Sequence, residues 1–212
     1  GSMISMDDPR HKRLRSIVSS GFTPRRVKEL DEAVDRVAVE VVDDLLTTGP
    51  CDFVTEAAAR LPLRIICEMM GIPEEHWQMV FDQSNTILGA QDDEYRDENL
   101  DLGSQLFLAA FQLTEMMNGL IAERVESPTD DLTSALVHAE VDGERLTHDE
   151  IASFFILLVV AGNETTRNSI SWALHLLTEH EDQRALWWDD FDGVAKTAVD
   201  EIVRWASPVI SM

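Results

Sequence analysis

The 212-residue chain is long enough to bury a hydrophobic core, and its 44% hydrophobic and 27% charged residues are typical of a folded globular protein. Its formal net charge of −23 disfavours nucleic acids and anionic membranes as partners. Two cysteines, Cys51 and Cys67, indicate neither a disulfide scaffold nor a zinc site. No apolar stretch is long enough to span a bilayer, so we expect a cytoplasmic protein with reduced thiols, in which Gly1-Ser2 is an expression-tag scar.

Basic side chains are concentrated near the N-terminus. Residues 1–28 contain seven basic and two acidic side chains, a local charge of +5, which leaves −28 on the remainder of the chain. A basic N-terminal segment on an otherwise acidic chain needs a functional explanation.

The spacing of apolar residues predicts a mainly α-helical protein. Pro62 is predicted to kink the second helix, and the segment Thr147-His148-Asp149-Glu150 to cap the long sixth helix as a capping box. We expect residues 91–99 to form an acidic, solvated loop. The predicted helices cover about 29–46, 55–70, 74–88, 102–125, 130–139, 147–179 and 194–206.

In the middle of the long helix, large apolar residues give way to the small and polar segment 161–166. Gly162 costs about 1 kcal/mol of helix propensity relative to alanine, so another effect must offset that cost. A flat ligand could approach the backbone there, while the neighbouring acid and hydroxyl supply protons, and a threonine hydroxyl could bond the i−4 carbonyl and bend the helix. The alternative, close packing of a second helix against the glycine, is favoured by the spacing alone.

Two further patterns have both a functional and a structural interpretation. His11 and Arg15 are four residues apart after the helix-start signal Asp7-Asp8-Pro9, and as two donors on one face they suit a ligand with carboxylates or phosphates. A solvated basic face is the favoured alternative. Glu201 and Arg204 form an ExxR pattern, for which an exposed surface pair is the default interpretation.

Taken together and in order, these patterns resemble the bacterial cytochrome P-450 monooxygenases. The resemblance covers the whole chain and is closest to actinobacterial hydroxylases of sterols and branched lipids. It implies a mainly α, incomplete cytochrome P-450 fold, one partial domain over 1–212 that runs from the family's C helix through its K helix and lacks the haem-thiolate loop and the C-terminal β-rich region. The matching segments are MDDPRHKRLRSIVSSGFTPRRV (6–27), PLRIICEMMGIP (62–73), LLVVAGNETTRNSISWAL (157–174) and AVDEIVRWASPV (198–209).

The resemblance implies that the long helix is the family's I helix, which crosses the distal face of the haem. Ala161 and Gly162 would open a groove for oxygen there. Glu164 and Thr165 would form the acid–alcohol pair that delivers protons for cleavage of the O–O bond.

The resemblance also implies roles at the two ends of the chain. Residues 6–20 correspond to the C helix, in which His11 and Arg15 would donate to the haem propionates. Glu201 and Arg204 correspond to the structural ExxR pair of the K helix, which a later arginine completes in the family.

The remaining implied sites concern the substrate, the metal and the electron donor. Leu158 and Val209 would contribute to the substrate pocket, with Val209 at the start of a strand after Pro208. The family's axial cysteine lies in a later glycine-rich loop, so we expect no metal ligand in this chain, and we expect Cys67 to lie in the core. The cofactor would be haem b, and the basic N-terminal segment suits a ferredoxin and its reductase.

We therefore expect the chain to be part of a haem-thiolate monooxygenase that hydroxylates a sterol, a fatty acid or another lipid-like hydrophobic substrate. It would use O2 and electrons from a ferredoxin-type partner, and by itself the chain would be inactive and would self-associate. The alternative is an acidic, haem-free helical interaction module derived from such an enzyme.

Overall fold

A computed structural model describes residues 2–90, 92, 95 and 100–209. This part of the chain is helical, and it contains one isolated antiparallel bridge, Val141 to Glu144, but no β-strand. The predicted mainly α class is therefore confirmed. The helices are α1 (Arg10–Ser20), α2 (Pro24–Thr48), α3 (Arg60–Met70), α4 (Trp77–Leu88), α5 (Leu102–Glu126), α6 (Leu132–His138), α7 (His148–Glu179), α8 (Glu181–Asp189) and α9 (Phe191–Ala206).

The structure differs from the predicted helices at three places. A π-helical turn, Val54–Ala58, precedes α3 and divides the helix predicted over 55–70. Pro62 lies in the first turn of α3, where its missing N–H breaks no intrahelical hydrogen bond, and the kink expected there stays a prediction. The segment Glu74–His76 is a 3-10 turn before α4. Helix α8 was not predicted, because it buries none of its residues and so has no apolar stripe.

The acidic loop predicted at 91–99 lies largely outside the described residues. Its conformation therefore does not enter the description of the fold.

Helix α7 is the central element of the fold. Its 32 residues span roughly 48 Å at about 1.5 Å per residue. Helices α3, α4 and α5 pack along it, and α8 and α9 also contact it. The main core includes Ile151, Phe155 and Val159 of α7, Leu113 and Met117 of α5, and Cys67 and Met70 of α3.

The N-terminal end of α7 is joined to α1 by an ionic network. The predicted capping box is present: Thr147 Oγ1 accepts from the Glu150 amide at 3.2 Å, and Glu150 Oε2 accepts from the Thr147 amide at 2.9 Å. Arg13 of α1 donates to Glu150 Oε1 at 3.2 Å, to Glu144 Oε2 at 3.1 Å and to the Arg145 carbonyl at 2.9 Å. This network positions α1, which carries His11 and Arg15, against the start of α7.

Candidate functional site

The polar segment of α7 presents an open face at Ala161 and Thr165. Ala161 is exposed, and Thr165 Oγ1 donates to its carbonyl at 2.7 Å. This is the predicted hydrogen bond to the i−4 carbonyl. Thr165 also lines a cavity of about 410 Å³ between α7, α8 and α9, with walls that are mainly apolar.

Gly162 lies on a different side of α7 from Ala161. A Cβ built on Gly162 would be 3.2 Å from Ile66 Cδ1 of α3, which is tighter than an ordinary contact. The glycine therefore permits a close approach of α3, as the packing interpretation requires. Of the two residues predicted to form the oxygen groove, only Ala161 is on the exposed side.

Both carboxylate oxygens of Glu164 are engaged. Arg167 Nη2 donates to Oε2, and Asn168 Nδ2 donates to Oε1 at 3.0 Å. Arg167 Nη1 also donates to Asn85 Oδ1 of α4 at 2.9 Å. Glu164 and Thr165 are neighbours on one helix, but each is bonded to its own partners.

Sequence reasoning missed Arg167 and Asn85. The spacing of Glu164 and Arg167, three residues apart on a helix, is a readable signal for an ion pair. No local signal identifies Asn85, which lies 82 positions from Arg167 in the chain.

His11 and Arg15 are brought together on one face of α1. Both line a surface depression of about 410 Å³, together with Asp8, Lys12, Ser16 and Ser19. Arg15 is exposed and His11 is partly buried, with its Nδ1 3.9 Å from Asp8 Oδ1. The two donors therefore lie on one face of α1, and this face is open to solvent.

Part of the basic N-terminal segment is neutralised within the chain. Arg25 Nη2 and Arg26 Nη2 both donate to Asp130, at 2.6 and 3.2 Å, and Arg25 Nε donates to Glu29. Lys12 and Arg15, by contrast, are exposed on the His11 face of α1.

Glu201 and Arg204 form a bidentate ion pair on α9. Arg204 Nε and Nη2 donate to the two carboxylate oxygens at 2.6 and 2.7 Å. The hydrogen bonds from Arg204 lower the pKa of Glu201, and those to Glu201 raise the pKa of Arg204. Both side chains are more than half exposed, as expected of a surface pair.

The two predicted substrate-pocket residues have different surroundings. Leu158 is partly buried and packs against the main core. Val209 is 54% exposed and follows Pro208, which lines the cavity between α7 and α9. Val209 is not in a strand, and the positions after it lie outside the described residues.

The two cysteines differ sharply in environment. Cys67 is fully buried, and burial, with the nearby charge of Glu68, raises its pKa to about 12, so its thiol is uncharged at neutral pH. Cys51 is exposed. Among the described residues, no group of three or more His, Cys, Asp or Glu side chains is arranged to hold a metal ion.

None of the helices in the described part of the chain is both long and apolar enough to cross a membrane.

Comparison with known sequences identifies relatives along the whole chain. A profile described as Cytochrome P-450 matches residues 69–186. A methyl-branched lipid omega-hydroxylase of Mycobacterium tuberculosis is 50% identical over 222 aligned positions, covering 100% of this chain and 49% of that protein. A steroid C26-monooxygenase of Rhodococcus jostii is 40% identical over 209 positions, covering 99% of this chain and 42% of that protein.

A solved structure agrees with these relatives. A Mycobacterium marinum cytochrome P-450 in complex with pseudoionone matches with a TM-score of 0.88 and 42% identity, covering 96% of this chain and 49% of that one. The chain spans about half the length of the curated relatives it matches. Since the family profile covers more than half of the chain and the fold agrees, the chain belongs to the cytochrome P-450 family.

Proposed function

We propose that this chain is the part of a haem-thiolate monooxygenase that contributes the oxygen-side helix and the donors to the haem carboxylates. The observation that carries the proposal is the segment 161–166 of α7, where an acid and a hydroxyl adjoin an exposed helix face. The alternative, a haem-free interaction module, gives no reason for this combination within a helix.

The names of the relatives support a lipid-like substrate. One relative at 50% identity is a methyl-branched lipid omega-hydroxylase, and another at 40% is a steroid C26-monooxygenase. Hydroxylation of a hydrophobic, methyl-branched or steroidal molecule is therefore the activity that we propose for the whole protein.

The residues present fit haem b at its carboxylates and at its distal face. His11 and Arg15 would bind the two carboxylates as charge-assisted donors, and Ala161 leaves the backbone of α7 accessible. Cys67 would not serve as the ligand of the iron, because its side chain is fully buried in the main core. When bound through a thiolate, haem iron supplies the activation of O2.

The residues of this chain would then handle protons. A hydroxyl that donates one hydrogen bond still has acceptor lone pairs, so Thr165 can bond a water on the open face of α7 while it donates to Ala161. Glu164, one residue earlier, can exchange a proton with solvent once its carboxylate leaves Arg167. Electrons would come from a ferredoxin-type partner, for which Lys12 offers exposed positive charge.

The proposal is tested with a chimera in which residues 1–212 replace the matching half of the Mycobacterium tuberculosis omega-hydroxylase. The absorption spectrum of the reduced, carbon-monoxide-bound chimera is expected to show a thiolate-type Soret band. Turnover with a methyl-branched lipid and a ferredoxin system is expected to give the hydroxylated product. A folded chimera that binds no haem would overturn the proposal and favour the interaction module.

Two threonines of α7 provide a matched test of proton delivery. Thr178 Oγ1 donates to the Leu174 carbonyl at 2.7 Å, the same bond that Thr165 makes to Ala161, but outside the segment 161–166. In the chimera, Thr165→Ala should increase the share of consumed O2 that appears as hydrogen peroxide, and Thr178→Ala should not. An equal share of hydrogen peroxide in both variants would reject the proton-delivery role of Thr165.

A further inference from the structure

We propose that Arg167 is a positioning residue that holds the Glu164 carboxylate and links it to α4 through Asn85. The inference rests on the proposed proton-delivery role of Glu164, and it concerns what controls the availability of that carboxylate.

The guanidinium of Arg167 joins two helices. It donates from Nη1 to Asn85 Oδ1 of α4 at 2.9 Å and from Nη2 to Glu164 Oε2 of α7. The Arg167 side chain is only 12% exposed and Asn85 only 5%. Hydrogen bonds at such low exposure are costly to break without replacement, so this contact constrains both helices.

In this arrangement both carboxylate oxygens of Glu164 are bonded to residues other than Thr165. Its two oxygens accept from Arg167 and from Asn168, which lie three and four residues later on α7. The Thr165 hydroxyl donates in the opposite direction along the helix, to the Ala161 carbonyl. A carboxylate that leaves Arg167 is free to turn toward Thr165 and to pass a proton in that direction.

The surroundings of Arg167 permit such a change. A cavity of about 600 Å³ is lined by Asn85, Leu88, Gly89, Glu164 and Arg167, together with Asp92 and Tyr95. Water or a polar group of a ligand in this cavity can replace Glu164 as an acceptor for the guanidinium. Because Asn85 lies in the last turn of α4, a ligand that displaces the end of α4 also moves the second anchor of Arg167.

The chemistry requires an arginine. A planar guanidinium presents several donors in fixed directions, so it can serve Asn85 and Glu164 simultaneously. A lysine offers a compact ammonium that can pair with Glu164 but cannot reproduce both bonds. We therefore expect Arg167→Lys to keep the ion pair and to lose the link to α4.

The first experiment uses urea unfolding of the 212-residue chain, at a concentration at which sedimentation velocity shows a monomer, because association would change the apparent stability. Asn85→Ala, Glu164→Gln and the double variant are compared in the parent and again in Arg167→Gln. With Arg167 present, the effects on the unfolding equilibrium constant should be non-additive by about twofold or more, and with Gln at 167 they should be additive. Additivity in the presence of Arg167, or coupling that persists in Arg167→Gln, overturns the link.

Arg184 supplies the matched control. It pairs with Glu181 at the same three-residue spacing on α8, at 3.6 Å, but both side chains are more than half exposed. Arg184→Gln makes the same change in charge and should leave the coupling between Asn85 and Glu164 intact. Loss of the coupling in this variant would mean that a general charge effect, not Arg167, produces it.

The second experiment measures hydrogen peroxide per O2 consumed in the haem-loaded chimera. Arg167→Gln should change this ratio when Glu164 is present and should add nothing in Glu164→Gln, with Arg167→Lys intermediate. The same change in both backgrounds would show a purely structural effect and overturn the inference. If Glu164→Gln alone leaves the amount of hydrogen peroxide per O2 unchanged, the proton-delivery role of Glu164 is overturned. This outcome is distinct from a failure of the inference about Arg167, because it is measured with Arg167 unchanged.

Discussion

Two glycines lie in helix interiors with different surroundings, Gly119 in α5 and Gly162 in α7. A Cβ on Gly119 would meet no atom within 4 Å, whereas one on Gly162 would be 3.2 Å from Ile66 Cδ1. The same residue type therefore has a packing reason at one position and none at the other.

Alanine substitution should distinguish these two glycines. Gly119→Ala is expected to raise the free energy of unfolding by about 1 kcal/mol, because alanine has the higher helix propensity and meets no neighbour. Gly162→Ala should raise the free energy of unfolding by less, since its methyl group crowds Ile66. Gly162→Leu should lower the free energy of unfolding by about 1–3 kcal/mol through overpacking. Urea unfolding measures all three, and an equal gain at both glycines would contradict the close approach of α3.

The cysteines allow a second prediction for single residues. Cys67 is buried with a pKa of about 12, and Cys51 is exposed. Because the thiolate is the nucleophile, iodoacetamide at pH 8 should alkylate Cys51 in the native chain and reach Cys67 only after unfolding. Mass spectrometry of the native and denatured protein gives the number of alkylated cysteines. Rapid alkylation of Cys67 in the native protein would contradict its place in the core.

At the scale of elements, the junction of α3, α5 and α6 depends on one buried carboxylate. Asp131 caps α6 by accepting from the Ser134 amide at 2.6 Å, and it accepts from Arg124 Nε of α5 at 2.6 Å. Arg124 Nη2 also donates to the Gly71 carbonyl at the end of α3. Gly71 has a φ of 73° and lies directly against Asp131, so a side chain there would be strained and would clash.

The pH dependence of folding should reflect this carboxylate. Burial acts to raise the pKa of Asp131, but hydrogen bonds from Thr129, the Ser134 amide and Arg124 together hold it below its ordinary value of 3.8. A pKa that is lower in the folded chain contributes stability above the unfolded value, and this stability is lost as the pH falls through the folded pKa. We therefore expect the urea concentration at the midpoint of unfolding to decrease as the pH is lowered below about 4.

Two adjacent aspartates separate this effect from a general change in charge. Asp131→Asn should cost about 3 kcal/mol, because it leaves Arg124 without its buried partner, and should reduce the loss of stability in acid. Asp130, beside it, is exposed and pairs with Arg25 and Arg26, so Asp130→Asn should cost less than about 1 kcal/mol. Equal pH profiles for both variants would contradict the role of Asp131.

At the scale of the whole molecule, α8 and α9 leave large apolar side chains in solvent. Trp188 is 87% exposed, Phe191 62% and Trp205 56%. Exposed apolar patches of this kind commonly mark contact surfaces. Together with the cavity beside α7, they leave apolar surface on α8 and α9 that nothing within the described residues covers.

This exposure predicts that the isolated chain self-associates. Sedimentation velocity should show a weight-average mass that rises with concentration, and Trp188→Glu with Trp205→Glu should reduce it, because a charge opposes burial of the patch. As a control, Glu75→Gln is an exposed substitution outside this surface and should have no effect. A single sharp monomer at all concentrations would contradict the prediction.

The sequence by itself determined the helical class, most helix bounds, the capping box at Thr147 and Glu150, and the resemblance to the cytochrome P-450 family. The helical class, the helix bounds and the capping box depend on residues within about four positions of one another, so periodicity and caps reveal them. The resemblance depends instead on several motifs that occur in order along the chain. Two elements were missed: α8, which has no buried stripe, and the π-helical turn Val54–Ala58, which carries no periodic signal of its own.

Only the tertiary structure decided how the candidate site is held together. The bond of Arg167 to Asn85, the contact of Gly162 with Ile66 and the network of Arg13 with Glu150 each join different helices. Such contacts depend on how helices pack, and a single sequence carries no periodic signal for the partner. The chemistry of the segment 161–166 was therefore readable from the sequence, whereas the restraint on Glu164 follows from the packing of α4 against α7.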